Sequence, residues 1–143
     1  MLAIASLVVT ACLAISNDSG SYSEAFNQAK SQKQPLLVLV GATWCPACRT
    51  MEQQVLPHLN RQGRLSGVSF AKVDTDQQPE LARQLMRGSA IPQLIVFSQR
   101  PDGTWYREQL TGSTSEASVL SLIERASAQM HGSGPRSVSA IGN

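Results

Sequence analysis

The chain lacks any concentration of charge. Twelve Lys and Arg face ten Asp and Glu over 143 residues, a net charge of +2, and the cations are scattered from Lys30 to Arg136 without a block or an aromatic-interleaved patch. That argues against a nucleic-acid partner. Histidine is nearly absent. His58 and His131 stand in no metal-ligand spacing with a cysteine, so no metal site or cofactor is implied. The first sixteen residues fall short of the ~20 that a membrane-spanning helix needs. The length, with 42% hydrophobic residues, suits one compact domain and not two ordinary ones.

The chain opens on "MLAIASLVVTACLAIS", sixteen residues without a charged side chain, followed abruptly by polar "SNDSGS". This fits the apolar region of an export signal, although the basic segment that usually precedes one is missing. Val9-Thr10-Ala11-Cys12 resembles a bacterial lipoprotein signal, in which the cysteine is lipidated. Cleavage after Ala14, or a buried N-terminal strand or helix, are the competing readings. On either export reading residues 1–16 are a leader and Cys12 is lipidated or lost, which leaves one mature cysteine pair. The expected location is then extracytoplasmic (periplasmic), with membrane contact only through the lipid anchor. Residues 17–131 form the expected domain, and 132–143, "GSGPRSVSAIGN", a disordered tail.

Along the domain, Ser21-x-x-Glu24 is a capping-box pattern ahead of Tyr22, Phe26 and Ala29 at helical spacing. After Pro35, "LLVLVGA" is a continuous apolar run that suits a strand buried on both faces. A helix is predicted from Cys45 to about Leu56, with Pro46 harmless in its first turn and Pro57 breaking or restarting it. "VSFAKVD" reads as a strand, and "TDQQPELARQLMRG" as a helix begun near Asp76 and capped at Gly88. "IPQLIVFS" and "TWYREQLTG" flank the turn "RPDG" and pair antiparallel, with Trp105 and Tyr106 facing opposite sides. Ser113-x-x-Glu116 is a second capping-box pattern before a terminal helix with an apolar stripe at Leu120, Ile123, Ala126 and Met130. This order predicts an α/β domain, a mixed sheet of about four strands between helices.

The chemistry concentrates in "TWCPACR", residues 43–49. Two cysteines at this spacing can be a redox couple, half of a zinc site or a structural staple. A helix beginning at Cys45 aims unsatisfied N–H groups at that sulfur and favours its thiolate, so Cys45 is the expected exposed nucleophile. Cys48 shares an inward stripe with Met51 and Val55 and is the expected sheltered resolving thiol. Trp44 is either packing or a substrate contact. His58 reads as a surface residue at the helix break.

Strand-"GATWCPAC"-helix, then "FAKVDTDQQPELARQL", then "AIPQLIVF", then a glycine after the hairpin, resembles the thioredoxin superfamily over roughly residues 20 to 130. The resemblance implies a thioredoxin-like fold and a protein disulfide oxidoreductase. It implies that Pro92 is cis, abuts the cysteines and, with Ile91, presents backbone hydrogen bonds to a substrate peptide. Trp44, Pro46 and Gly112 are the further implied substrate-binding residues, and Lys72 matches the family lysine that tunes the thiols. Within the superfamily the chain is similar to the C-terminal domain of DsbD-type interchange proteins, with cytochrome c maturation thioredoxins as the alternative. The implied partners of this monomer are protein thiols and disulfides and a membrane electron donor, with a lean toward reduction. A thioredoxin-fold binding module with a structural disulfide is the competing class. One departure stands out. Where the family usually carries a buried acid, six residues before the first cysteine, this chain has Leu39, so Cys48 must lose its proton to water or another group.

Overall fold

The apolar run after Pro35 becomes β1 (Leu36–Gly41), buried along its whole length. The computed structural model describes residues 21–133; the leader with Cys12, and the tail beyond Ser133, lie outside them. β1 runs parallel to β2 (Ser69–Asp74) and antiparallel to β3 (Gln93–Gln99), which pairs antiparallel with β4 (Trp105–Thr111). The sheet order is β2-β1-β3-β4.

Successive β1 side chains feed two cores, as the period-two alternation of a strand requires. Leu36, Val38 and Val40 pack with Ala25 and Ala29 of α1 (Tyr22–Gln32) and with Ala82 and Leu85 of α4 (Pro79–Leu85). Leu37 and Leu39 pack with Leu59 of α3 (Leu56–Arg61) and Leu122 of α5 (Glu116–Met130). The result is the expected mixed sheet between helices. The Ser21–Glu24 capping box forms in full, with Glu24 N–H donating to Ser21 Oγ at 3.3 Å and Ser21 N–H to Glu24 Oε2 at 3.0 Å.

Several boundaries differ from expectation. Of the two outcomes expected at Pro57, the α-helix restarts there, with the proline in its first turn, and the helical run after Cys45 does not break. It runs as α2 (Pro46–Thr50), a π-helical turn (Met51–Val55) and α3, with the Leu56 N–H donating five residues back to Met51 O. The wider turn makes room for a proline ring that would otherwise press on the carbonyl four residues earlier. The helix expected from Asp76 begins at Pro79, because Asp74 Oδ1 accepts the N–H groups of Asp76 and Gln77 at 2.9 and 3.1 Å and holds a turn there. It ends at Leu85, so Gly88 (φ +77) lies in the following loop rather than at the cap.

The second capping box does not form. Ser115, not Ser113, caps α5 by accepting the Ser118 N–H at 3.2 Å, and Glu116 turns instead to His58 Nδ1 at 2.5 Å. The buried stripe of α5 is Val119, Leu122, Ile123, Ala126 and Gln129, while Leu120 and Met130 are half-buried. Val119 and Leu120 are both apolar, so only docking on the sheet selects which faces in. Gly132 and Ser133 close α5 by donating to Gln129 O and Ala128 O, a Schellman motif with Gly132 at φ +71.

Candidate active site

Val40 pairs with Gln93. The C-terminal end of β1 and the N-terminal end of β3, the two central strands, therefore lie at the same end of the sheet, the cysteine edge, and the loops leaving and entering them meet there. Cys45 is the N-cap of α2 and Pro46 its first helical residue. Cys45 Sγ accepts the Cys48 N–H at 3.2 Å, which directs a helix-terminal donor at that sulfur alone. The two cysteines are joined by a disulfide, with Cα atoms 5.2 Å apart.

The expected exposure difference between them is absent in this disulfide form: Cys45 is 5% and Cys48 3% exposed. Ala42, Ala47 and Ile91 pack around both. Their inequality lies in what faces each sulfur. Cys45 Sγ has the helix-terminal N–H, whereas Cys48 Sγ abuts the backbone of Gly41, where a Cβ would come within 2.9 Å.

The Ile91–Pro92 peptide bond is cis, and Ile91 packs on the cysteine cluster. Pro92 O accepts the Gly112 N–H at 2.8 Å. Gly112 holds φ +88, with no heavy atom within 4 Å of where a Cβ would sit. The positive φ is what calls for glycine there, since space alone would admit a side chain. Trp44 is 65% exposed, so it is not core packing. Its indole Nε1 donates to Asp76 Oδ2 at 2.9 Å. It lines a cleft of about 540 Å³ with Ile91, Met86, Arg83 and Pro79. Cys45, Cys48, Trp44, Ile91, Pro92 and Gly112 thus gather around one edge, with Pro46 exposed beside them.

Lys72 is engaged elsewhere. It stands beside Leu39 in the β1–β2 register, and its Nζ contacts Glu52 Oε1 at 2.5 Å. Leu39 is 2% exposed within the core. The carboxylate nearest to this arrangement in sequence, Glu52, is therefore one helical turn beyond Cys48 and already ion-paired. Among the described residues there is no group of three or more His, Cys, Asp or Glu able to hold a metal ion.

Three residues of this site were not read from the sequence. Gly41 ends the apolar run and gives Cys48 its room. Asp76 orients the Trp44 indole. Gln93, fully buried, hydrogen-bonds the loop ahead of Pro92. The available signals were a glycine closing a β-branched run just before the cysteines, and a lone glutamine inside the apolar "IPQLIVF".

The profile of a family described as thioredoxin-like matches residues 16–98, more than half of the chain. The chain is 36% identical over 90 residues to the thioredoxin of Mycobacterium tuberculosis, an overlap of 63% of this chain and 72% of that one. It is 33% identical over 95 residues to a bifunctional thioredoxin reductase/thioredoxin of Mycobacterium leprae, covering 66% of this chain and only 19% of that one. The solution structure of a thioredoxin from Thermus thermophilus superimposes with a TM-score of 0.64 at 24% identity, over 77% of this chain and 86% of that one. With a helix-capping Cys45, a disulfide to Cys48 and a cis Ile91–Pro92 bond whose isoleucine packs on both, the chain belongs to the thioredoxin-like family.

Proposed function

We propose that this chain is an extracytoplasmic protein thiol-disulfide oxidoreductase that works mainly as a reductant. The observation that carries the reading is the Cys45–Cys48 disulfide at the start of a helix, packed against Ile91, which also lines a cleft with the exposed Trp44. In the reducing direction the Cys45 thiolate attacks one sulfur of a partner disulfide, forms a mixed disulfide and expels the other partner sulfur as a thiolate. The Cys48 thiolate then attacks Cys45 Sγ, closes the intramolecular disulfide and releases the second partner thiol. Two electrons pass to the partner, and a membrane dithiol donor restores the pair by the reverse exchange. The uncharged Pro46-Ala47 spacer supports the reducing lean, since it adds no cation that would further stabilise a thiolate. The export reading rests on the apolar residues 1–16.

Titration in glutathione redox buffers tests the activity. A couple that opens and closes reversibly supports it, and one that stays oxidised at strongly reducing poise refutes it. The second outcome would favour a binding module with a permanent staple, the reading that the burial of both sulfurs supports. Mass spectrometry of the mature N-terminus tests the location: a lipidated Cys12 or a new terminus at Ile15 is expected, and an intact Met1 would overturn the export reading.

A further inference from the structure

Gln93 is the first residue of β3 and is 0% exposed in a strand whose other buried positions are apolar except Ser98. A buried carboxamide is tolerated only when its hydrogen bonds are satisfied. Here its three are all to the main chain of one loop. Its Oε1 accepts the Arg87 N–H at 3.1 Å, and its Nε2 donates to Arg87 O and to Ala90 O, each at 3.0 Å. The loop so held joins α4 to the cis proline and contains the exposed residues 87–90. Without that clamp it would be an ordinary mobile surface connection.

The consequence falls on Ile91. Ala90 O is taken by Gln93, and Pro92 O is taken by the Gly112 N–H. Between these two, the N–H and C=O of Ile91 enter no hydrogen bond among the described residues. A partner strand laid against this loop therefore meets at Ile91, packed on the cysteine cluster, a residue whose main-chain donor and acceptor are both unpaired among the described residues. The occupied carbonyls of Ala90 and Pro92, and the missing N–H of the proline, disfavour pairing one residue earlier or later. A one-residue slip would turn every partner side chain to the other face.

We propose that Gln93 is a positioning residue that fixes the register in which a polypeptide disulfide is presented to Cys45. This rests on the oxidoreductase reading above. A small disulfide, which makes no main-chain pairing, should be indifferent to the clamp.

The test compares two substrates in Gln93→Met and Gln93→Glu: an unfolded polypeptide containing a disulfide, and glutathione disulfide. Methionine keeps the volume and removes all three hydrogen bonds. Glutamate can still accept from Arg87 N–H but cannot donate to the two carbonyls while ionised. The expected result is a rise of roughly tenfold in KM for the polypeptide, the scale of one to two lost hydrogen bonds. The rate with glutathione disulfide and the equilibrium potential stay unchanged. For Gln93→Glu, the polypeptide defect, taken relative to glutathione disulfide at each pH, should shrink as acid protonates the carboxyl and restores one donor. Equal losses with both substrates, or none with either, in whichever variant folds, overturn the proposal. If the unsubstituted chain exchanges neither substrate, the oxidoreductase reading itself fails.

Discussion

The cysteine edge and the β4–α5 flank are both partly buried, yet they are held by opposite means. At the edge the disulfide is packed by Ala42, Ala47 and Ile91, and the adjacent loop is fixed by the neutral carboxamide of Gln93. On the flank, Arg125 grips both Glu108 oxygens with contacts of 2.7–3.0 Å, and the Tyr106 hydroxyl donates to the same carboxylate. The Arg125 hydrogen bonds hold the Glu108 carboxyl below its ordinary range, while burial and then Glu108 push the Tyr106 phenol up to about 12. Around the sulfurs the packing and the loop clamp are made of groups that do not titrate, and the charge of Asp76 is engaged at the outlying Trp44 indole. Where nothing reacts, the fold uses charge.

The sharpest way to break this comparison is at the sulfurs. Cys45→Ser should lower exchange with a protein disulfide by at least about a thousandfold, since the attacking thiolate is gone. Cys48→Ser should instead trap mixed disulfides visible on a non-reducing gel. Trapping by Cys45→Ser alone would reverse the two roles.

Next in size is Gly41→Val, which places a side chain where even a Cβ would lie 2.9 Å from Cys48 Sγ. Overpacking of this kind costs about 1–3 kcal/mol. Denaturant unfolding should show that loss in the oxidised protein and a smaller one after reduction, when Cys48 Sγ is free to turn away. Equal losses in both forms would mean that the strand, not the sulfur, sets the need for glycine. A milder disturbance is Asp76→Ala, which frees the Trp44 indole. The polypeptide rate should fall about two- to threefold, the worth of one exposed hydrogen bond, with tryptophan emission shifted to longer wavelength.

The smallest effect belongs to the flank. Glu108→Gln should cost about 0.5–1 kcal/mol at neutral pH, as a solvent-screened ion pair allows. Because the folded carboxyl titrates lower than the unfolded one, this stability is present above the unfolded value of about 4.3 and is lost as pH falls through the folded value. Unfolding curves of the two proteins should therefore converge in acid. In alkali the Tyr106 contribution is complete below the unfolded phenol value of about 10 and is lost as pH rises toward about 12. Phenolate absorbance would follow that step. Exchange at the cysteine edge should follow neither titration; if it did, the two regions would be coupled.

Much of this was legible in the chain. The Ser21–Glu24 capping box, the doubly buried β1 and the Trp105/Tyr106 alternation all formed as local rules require, with Trp105 exposed against Phe26 and Tyr106 buried. The same rules misplaced the start of α4 and the cap of α5. There two signals competed: Asp74 captured the turn that Asp76 was expected to open, and Glu116 found His58 instead of a backbone N–H.

What depends on neighbours along the chain could be read from the residues alone: a cysteine pair at a strand-to-helix junction, proline in the first helical turn, and a succession of elements compatible with one sheet. What surrounds those cysteines depends on how the elements pack together. Gly41 against Cys48, Asp76 against Trp44 and Gly112 against Pro92 bring together residues from different elements. Gln93 lies six residues or fewer from its partners, yet its role emerges only with its strand placed inside the sheet. Burial supplies the reason: once water is excluded, a carboxamide must bond whatever main chain lies within reach, and the fold alone determines what that is.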